Sequence, residues 1–398
     1  MEDTYMTAVE ADTTTVLDAV RAIVPEIAER ANEIEAAKLI PADLIQRLTD
    51  AGAFRMFVPR QYGGEEMSML DAMAVIEEVA KADASAGWTV MIGADFAPVF
   101  GRFPQHVLDG EIYPEGPDTM ARGAFAPKGV AIRTDGGYVV NGQWPLASGS
   151  YEHQWMMGSC IVLQKGAPVM TDAGVPQMVL AMVPAQQADF VQTWDSVGLR
   201  GTNSNDFVLR DVFVPDQHIG NFFGPATVDT TLFRLPVRLA LGPTHVAVVM
   251  GIAEGALGDL RALAKTKRPA FNPTMRLAED PVFQYRLGQL DIRLASVRAL
   301  AEKEVRLMWD AASAGEPMSP LQATRQRAMV ARAHTECVEI VNEAFGLAGS
   351  NAMYNTSTLQ RRLRDVRTAA QHAAASAEIY TIVGALLVGE DVPPAALA

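Results

Sequence analysis

Cysteine is scarce in this sequence. Cys160 and Cys337 are the only two thiols among 398 residues, and they lie far apart. A disulfide framework needs several paired cysteines, and a zinc site needs closely spaced Cys or His ligands. Neither pattern is present, and no metal spacing joins any of the six histidines. We therefore expect two buried thiols, no metal site and a reducing compartment, the cytoplasm.

Basic residues are also in a minority, with 33 Lys and Arg against 47 Asp and Glu and a net charge of −14. A nucleic-acid partner requires a basic surface, so we expect none. No apolar run approaches the roughly 20 residues of a membrane helix, and the acidic N-terminus lacks the pattern of a secretory signal. A Gly-x-Gly-x-x-Gly motif is missing too, so no nicotinamide site is predicted. These absences favour a soluble protein without a membrane partner.

Three regions of the chain differ in periodicity. Apolar residues recur at helical spacing from about 14 to 112 and again after Pro215, where one stripe runs from Phe283 to Met308. Between them, short apolar runs alternate with Gly and Pro, as in a small antiparallel sheet or barrel, and Asp135-Gly136-Gly137 is a hairpin signal. We predict an α+β protein with an N-terminal helical domain (1–116), a β domain (117–224) and a C-terminal four-helix bundle (225–398), whose last helix covers about 357–389.

Two segments of the predicted β domain combine Gly with small hydrogen-bonding residues and a Trp. They are Gly142-Gln143-Trp144-Pro145-Leu146-Ala147-Ser148-Gly149 and the stretch from Trp194 to Asp206. Gly lets the backbone come close to a ligand, and Ser, Thr, Asn and Arg offer hydrogen bonds to a planar heteroaromatic cofactor or its phosphate. Two interpretations are open at this point: ordinary tight turns between strands, or ligand-binding loops.

Both segments resemble the middle domain of the acyl-CoA dehydrogenase superfamily, and more closely its reduced-flavin-dependent two-component monooxygenases. The elements Gly-x-Trp-x-x-x-Ser-Gly and Gly-Leu-Arg-Gly-Thr-x-Ser-Asn-Asp carry the resemblance, which continues over nearly the whole chain. It implies the same order of helical domain, β domain and four-helix bundle. It also implies reduced FAD or FMN with O2 as cofactors, a separate flavin reductase as partner, and a homotetramer or homodimer.

The last helical region separates two branches of this superfamily. Most of its dehydrogenases place a catalytic Glu shortly after an Arg-Asp pair, but here Arg364-Asp365 is followed by Gln371-His372-Ala373. The next carboxylate, Glu378, is more than a helical turn from His372, and a general base must come within hydrogen-bond reach of its proton. The monooxygenases carry a His in this region, and imidazole can donate or take a proton near neutrality. His372 is therefore the predicted catalytic residue, together with Ser148.

The resemblance implies further site residues. It assigns flavin contacts to Trp144, Ser148, Arg200, Thr202 and Ser204, and contacts across a subunit interface to Arg268, Phe271, Gly346 and Gly349. His153 and Arg122 are candidates for the substrate pocket, whereas His106, His218, His245 and His334 are expected to be structural. Each residue of the two turns can also be explained by hydrogen bonding within its own turn.

These observations predict a flavin-dependent monooxygenase that hydroxylates a phenolic or indole-like aromatic substrate. An electron-rich ring is expected because it is what oxygen activated by reduced flavin attacks. Two alternatives stay open: an acyl-CoA dehydrogenase with a relocated catalytic base, and a scaffold of this fold that has lost its flavin.

Overall fold

The first third of the chain is helical. The computed structural model describes residues 15–150, 152–172, 174–270 and 272–392. The helices of this part are α1 (Val16–Glu29), α2 (Ala31–Ala37), α3 (Ala42–Asp50), α4 (Met69–Ala82), α5 (Ala84–Phe100) and α6 (Gln105–Val107), which continues into a π-helical turn (Leu108–Ile112).

Helix α5 is the central element. It begins at Asp83, whose carboxylate accepts a hydrogen bond from the Ala86 N–H at 2.9 Å. Nearly every residue of α5 is buried, and its apolar residues surround the axis, which is the pattern of a helix covered on all sides. It packs on α4 and also contacts the first strand of the β domain and helices of the C-terminal bundle. A side chain on α5 can therefore take part in a site between all three regions.

The β domain is one mixed sheet. Its strands are β1 (Ala121–Thr134), β2 (Gly137–Trp144), β3 (Trp155–Gln164), β4 (Ala167–Pro168), β5 (Met178–Pro184), β6 (Asp189–Val191), β7 (Asp206–Pro215) and β8 (Ile219–Gly220). Their order is β6-β7-β2-β1-β3-β5-β8, with β4 on β3. The predicted hairpin at Gly136 is confirmed by the antiparallel pairing of β1 with β2. The expectation of a wholly antiparallel sheet is wrong, because β1 and β3 run parallel.

Trp144 lies in the core of this sheet domain, fully buried. Its indole stacks on Phe207 with ring centroids 4.8 Å apart and donates to the carbonyl of Ser159 at 2.8 Å. Glycines at 129, 142 and 158 cover the ring, and a Cβ on any of them would come within 2.1–2.7 Å of it. The structure thus corrects the expectation that Trp144 lies against the flavin, because strand β2 directs this side chain into the sheet core.

The C-terminal region is a helix bundle. Its helices are α7 (Val237–Thr266), α8 (Pro281–Ala314), α9 (Pro320–Ala348), α10 (Thr358–Ala369) and α11 (Ile379–Leu387). The predicted stripe on α8 is confirmed, since Phe283, Leu290, Leu294 and Val305 are buried. The prediction of one continuous last helix is wrong. Despite a run of alanines that favours helix, the chain leaves the helix after Ala369 and starts a new turn at His372.

One large apolar core joins the N-terminal helices to the bundle, and a second core lies inside the sheet. The boundaries at 116 and 224 remain predictions. Both cysteines are buried free thiols, as expected.

Within the described ranges, no helix has both the length and the apolar character needed to cross a bilayer. Those same residues contain no group of three or more His, Cys, Asp or Glu side chains placed to hold a metal ion.

Candidate active site

The two glycine-containing turns meet in a row of buried hydroxyl groups. The indole N–H of Trp88, on α5, donates to Ser148 Oγ at 3.2 Å. Ser148 Oγ lies 2.6 Å from Ser204 Oγ, which lies 2.6 Å from Thr202 Oγ1, and Thr202 donates to the carbonyl of Leu199 at 2.8 Å. We call these five groups the hydroxyl row. Ser148, Thr202 and Ser204, which the sequence singled out, thus form one row of contacts, although Ser148 lies more than 50 positions from the other two.

Trp88 connects the hydroxyl row to three histidines of the bundle. Its ring centroid lies 5.2 Å from that of His245 and 5.7 Å from that of His372, both edge-on. His245 stacks on His372 at 4.3 Å, and His334 lies 6.5 Å from His245. We call these three rings the imidazole cluster. The structure therefore places both Ser148 and His372 in contact with one indole.

The local backbone fixes the tautomer of His372. This residue caps the short 3₁₀ turn Ala373–Ala375, and its Nδ1 accepts a hydrogen bond from the Ala374 N–H at 3.2 Å. Since Nδ1 acts as an acceptor, the proton of the neutral ring sits on Nε2. Desolvation lowers the pKa of His372 to about 4, and because the residue is exposed at the surface, water offsets part of this effect. At neutral pH, His372 is a neutral ring with an Nε2–H donor.

The other two rings of the imidazole cluster are more deeply buried. Burial lowers the pKa of His245 far below its usual range, and the two neighbouring rings lower it further. Burial likewise lowers the pKa of His334 to about 4. Nδ1 of His245 and Nε2 of His334 are buried atoms that have no hydrogen-bond partner in the described part of the chain, and Nδ1 of His334 contacts the Val330 carbonyl at 2.9 Å. The cluster is therefore uncharged at neutral pH, which keeps the region beside Trp88 apolar.

Arg122 holds the two turns together. Its guanidinium, 1% exposed, donates to the carbonyls of Ala147, Ser150 and Asn203 and lies 4.5 Å over the ring of Phe190. These bonds to backbone carbonyls give Arg122 a structural role, and its place in a substrate pocket stays a prediction. His153 lies close by, with Nδ1 3.0 Å from the Ser150 carbonyl, and burial together with the charge of Arg122 lowers its pKa to about 4.

Both turns contain strained backbone. Leu146, Leu199 and Asn203 adopt left-handed conformations with φ of 64°, 50° and 49°. Such conformations cost about 1–3 kcal/mol each at a residue other than glycine and persist only where the surroundings impose them. Here the Leu199 N–H donates to buried Asp365 of α10 at 2.7 Å, and Gly201 N–H donates to Ser85 Oγ of α5 at 3.1 Å. Contacts from the N-terminal region and the bundle thus hold the second turn in place.

The other predicted residues that the structure describes are not members of the hydroxyl row. Arg200 donates to the Ser196 carbonyl at 2.8 Å and is 3.6 Å from Asp195, within its own loop. Arg268 donates to the carbonyls of Pro273 and Thr274 in the loop between α7 and α8, while Phe271 falls outside the described residues. Gly346 and Gly349 are exposed near the end of α9. Lys267 links this end to the α7–α8 loop through the Ala348 carbonyl.

Sequence reasoning missed Trp88 and His245. Trp88 follows an N-cap Asp and four small residues, Ala84-Ser85-Ala86-Gly87, a pattern that predicts a buried helix start but not a ligand site. His245 sits in the apolar stretch of α7, where a lone His is usually a core residue. Only the packing of α5 against α7, together with the break before His372, brings the three rings together.

The site fits a planar heteroaromatic cofactor. Hydroxyls, an indole and an imidazole N–H lie close together here, and the buried Nδ1 of His245 lacks a partner among the described residues. These groups match the N–H, C=O and π-face of a flavin ring. Two surface cavities lie elsewhere, one lined by Glu77, Lys81 and Arg298 and one by Lys303 and Tyr380. Their charged linings do not suit an apolar ring system.

Two family models and a solved structure give the fold class of this protein. The family model described as acyl-CoA dehydrogenase, N-terminal domain, matches residues 10–103, and that of the acyl-CoA dehydrogenase C-terminal domain matches residues 243–377. The crystal structure of 3-HSA hydroxylase from Rhodococcus sp. RHA1 superposes with a TM-score of 0.89 at 25% identity, covering 98% of this chain and 100% of that one. The helical regions and the sheet between them thus form an acyl-CoA dehydrogenase-like fold.

Curated relatives narrow this class. Indole-3-acetate monooxygenase from Acinetobacter baumannii is 32% identical over 358 residues, covering 88% of this chain and 89% of the relative. The flavin-dependent monooxygenase oxygenase subunit HsaA from Mycobacterium tuberculosis is 28% identical, covering 94% and 95%. This chain therefore belongs to the flavin-dependent monooxygenases of the acyl-CoA dehydrogenase superfamily.

Proposed function

We propose that this protein is the oxygenase component of a two-component monooxygenase. It hydroxylates an aromatic ring with O2 and reduced FAD or FMN, which a separate reductase supplies. The observation that carries the proposal is the arrangement of Ser148 and His372 around Trp88. Among the described residues, the hydrogen bonds of Ser148 and His372 run to hydroxyl, indole and backbone groups and not to a carboxylate.

An electron-rich aromatic substrate, phenolic or indole-like, suits this site. The curated relatives support the proposal, since one is named for indole-3-acetate. A flat ring can pack against the indole of Trp88 and the apolar surface of the uncharged imidazole cluster.

The reduced flavin supplies the electrons that activate O2 when it is bound. The chain's own residues then have three tasks. Ser148, held by Trp88 and Ser204, positions a ring by one hydrogen bond. His372 presents its Nε2–H, so it can donate to an oxygen atom beside the substrate. The neutral imidazole cluster keeps charge away from the reacting ring, which strengthens each hydrogen bond in the site.

A homo-oligomer, either a dimer or a tetramer, completes the proposal. Helix α8 exposes Val282, Tyr285, Ile292 and Leu307, which are 69%, 65%, 66% and 44% accessible. At about 100° per residue these positions fall within one stripe of roughly 80°. An exposed apolar stripe of this kind is typical of a protein interface. In such an assembly, Arg268, Gly346 and Gly349 contact the cofactor of a neighbouring subunit.

Isotope labelling tests the proposed reaction. Purified protein is mixed with chemically reduced FAD or FMN, an indole or phenol, and ¹⁸O2. We expect one ¹⁸O atom in the product, and no product under nitrogen. Anaerobic oxidation of an acyl-CoA thioester by an artificial electron acceptor, without added reduced flavin, would instead support the dehydrogenase alternative.

The assembly has a separate test. We expect sedimentation of the wild-type protein to show a dimer or a tetramer. The double variant Tyr285→Glu/Ile292→Glu should dissociate into monomers and bind flavin more weakly. A monomeric wild-type protein with full flavin affinity would contradict the assembly.

A further inference from the structure

The hydrogen bonds of the hydroxyl row can run in only one direction. A hydroxyl has a single proton, and that of Thr202 is directed at the Leu199 carbonyl, 2.8 Å away. The 2.6 Å contact between Thr202 and Ser204 must therefore contain the proton of Ser204. By the same reasoning, the 2.6 Å contact between Ser204 and Ser148 contains the proton of Ser148. The Leu199 carbonyl at one end of the row therefore sets the direction of every hydroxyl proton in it.

This direction leaves Ser148 with a single way to bind a ligand. Its proton is used by Ser204, and one of its two lone pairs accepts the indole N–H of Trp88. Only the second lone pair remains. We propose that Ser148 acts toward the bound ring solely as a hydrogen-bond acceptor, so that the site selects a ligand that presents a ring N–H or O–H at this point. The inference rests on the proposed function and adds a selectivity that the function alone does not specify.

Two ligands of the proposed reaction carry such a donor. The central ring of a flavin has an N–H in the reduced state and a bare nitrogen lone pair in the oxidised state. An indole N–H or a phenol O–H of the substrate is the other source. An acceptor-only Ser148 attracts the reduced flavin and repels the oxidised one, or it distinguishes the substrate from an analogue that lacks the donor. Both sources share one chemistry, and separate binding measurements distinguish them.

Thr202→Val is the informative variant. It removes the hydroxyl that fixes the direction but keeps the shape of the side chain. The Leu199 carbonyl remains satisfied, because it still accepts from the Thr202 N–H at 3.1 Å and from Trp194 Nε1 at 3.3 Å. Ser204 can then donate to Ser148, and Ser148 can turn its own proton toward the ligand. Thr89→Val is the matched control, since Thr89 is also buried, lies next to Trp88 and donates to a backbone carbonyl, Ser85 O, at 2.9 Å.

Binding measurements provide the readout, independent of turnover. Dissociation constants for oxidised and reduced flavin are determined anaerobically, together with the midpoint potential of the bound flavin. If flavin lies on Ser148, we expect Thr202→Val to lower the ratio Kd(oxidised)/Kd(reduced) about tenfold, the scale of one neutral hydrogen bond. The midpoint potential of the two-electron couple should then fall by about 30 mV. If the substrate lies there, the preference for indole over 1-methylindole should fall by a similar factor instead.

The outcomes separate this inference from the proposed function. A shift of either ratio in Thr202→Val, with none in Thr89→Val, supports an acceptor-only Ser148. Flavin and indole binding with both ratios unchanged in a folded variant overturns it and leaves the monooxygenase proposal intact. A wild-type protein that binds neither flavin would contradict the proposed function itself. If Thr202→Val does not fold, Ser204→Ala tests the same point, because it removes the group that takes the proton of Ser148.

Discussion

Replacing His372 by Asn separates the two roles that the structure gives this residue. The imidazole caps a short turn through Nδ1 and presents a proton on Nε2. Asparagine is a good capping residue, so it can keep the bond from the Ala374 N–H, but it has no group at the position of Nε2. Alanine loses both functions. The pair of variants therefore distinguishes a structural requirement from a chemical one.

The expected magnitudes differ for the two roles. Loss of a cap costs about 0.5–2 kcal/mol, and the 3.2 Å bond to a three-residue turn places His372→Ala at the lower end of this range. The free energy of unfolding of His372→Asn should lie within about 0.5 kcal/mol of the wild-type value, the usual range for a substitution that keeps its contacts. A positioned proton donor contributes about 10²–10⁴-fold to a rate. Both variants should therefore lose hydroxylation by about that factor, which corresponds to roughly 3–5 kcal/mol in the barrier.

The assay follows product and oxygen together. Reduced flavin and substrate are mixed with O2, and the yield of hydroxylated product per O2 consumed is measured alongside urea unfolding. We expect oxygen consumption to continue in His372→Asn while the product yield falls, because the flavin still reacts with O2. A variant that hydroxylates at the wild-type rate would remove His372 from the chemistry. A loss of product confined to His372→Ala would reduce its role to capping.

Three further predictions concern stability. Trp144→Ala should cost about 3–5 kcal/mol in urea unfolding because it empties the sheet core, whereas the fraction that remains folded should bind flavin normally; weaker binding would restore Trp144 to the site. Burial and the nearby Asp83 raise the pKa of Asp365 to about 7, so its contribution to stability is complete below pH 3.8 and is lost as the pH rises toward 7. Asp365→Asn should therefore gain stability over the wild type across this window, up to about 4 kcal/mol at roughly 1.4 kcal/mol per pKa unit, and a constant difference would contradict the assignment. The pKa of His334 is lowered to about 4, so the contribution of this ring to the free energy of unfolding is complete above pH 6.5 and is lost as the pH falls from 6.5 toward 4. His334→Phe should reduce that acid sensitivity, and an unchanged dependence of the urea-unfolding free energy on pH would argue against it.

The sequence by itself determined the features that depend on neighbouring residues. Apolar spacing on α8 fixed which face is buried, and Asp135-Gly136-Gly137 fixed the β1–β2 hairpin. After Arg364-Asp365 the sequence carries His372 and no carboxylate at the expected distance, which favoured the monooxygenase branch over the dehydrogenases. These are local properties, since a turn or an amphipathic face requires only a few consecutive residues to agree.

Tertiary structure alone decided which of these residues meet. Two turns with similar compositions gave no indication that Ser148 contacts Trp88 while Trp144, four residues earlier, fills the sheet core. The alanine run around His372 favoured a continuous helix, yet the chain breaks there and the ring stacks on His245. These contacts join residues 60 or more positions apart, and they depend on how α5, α7 and the sheet pack together. A local pattern in the sequence does not contain that information.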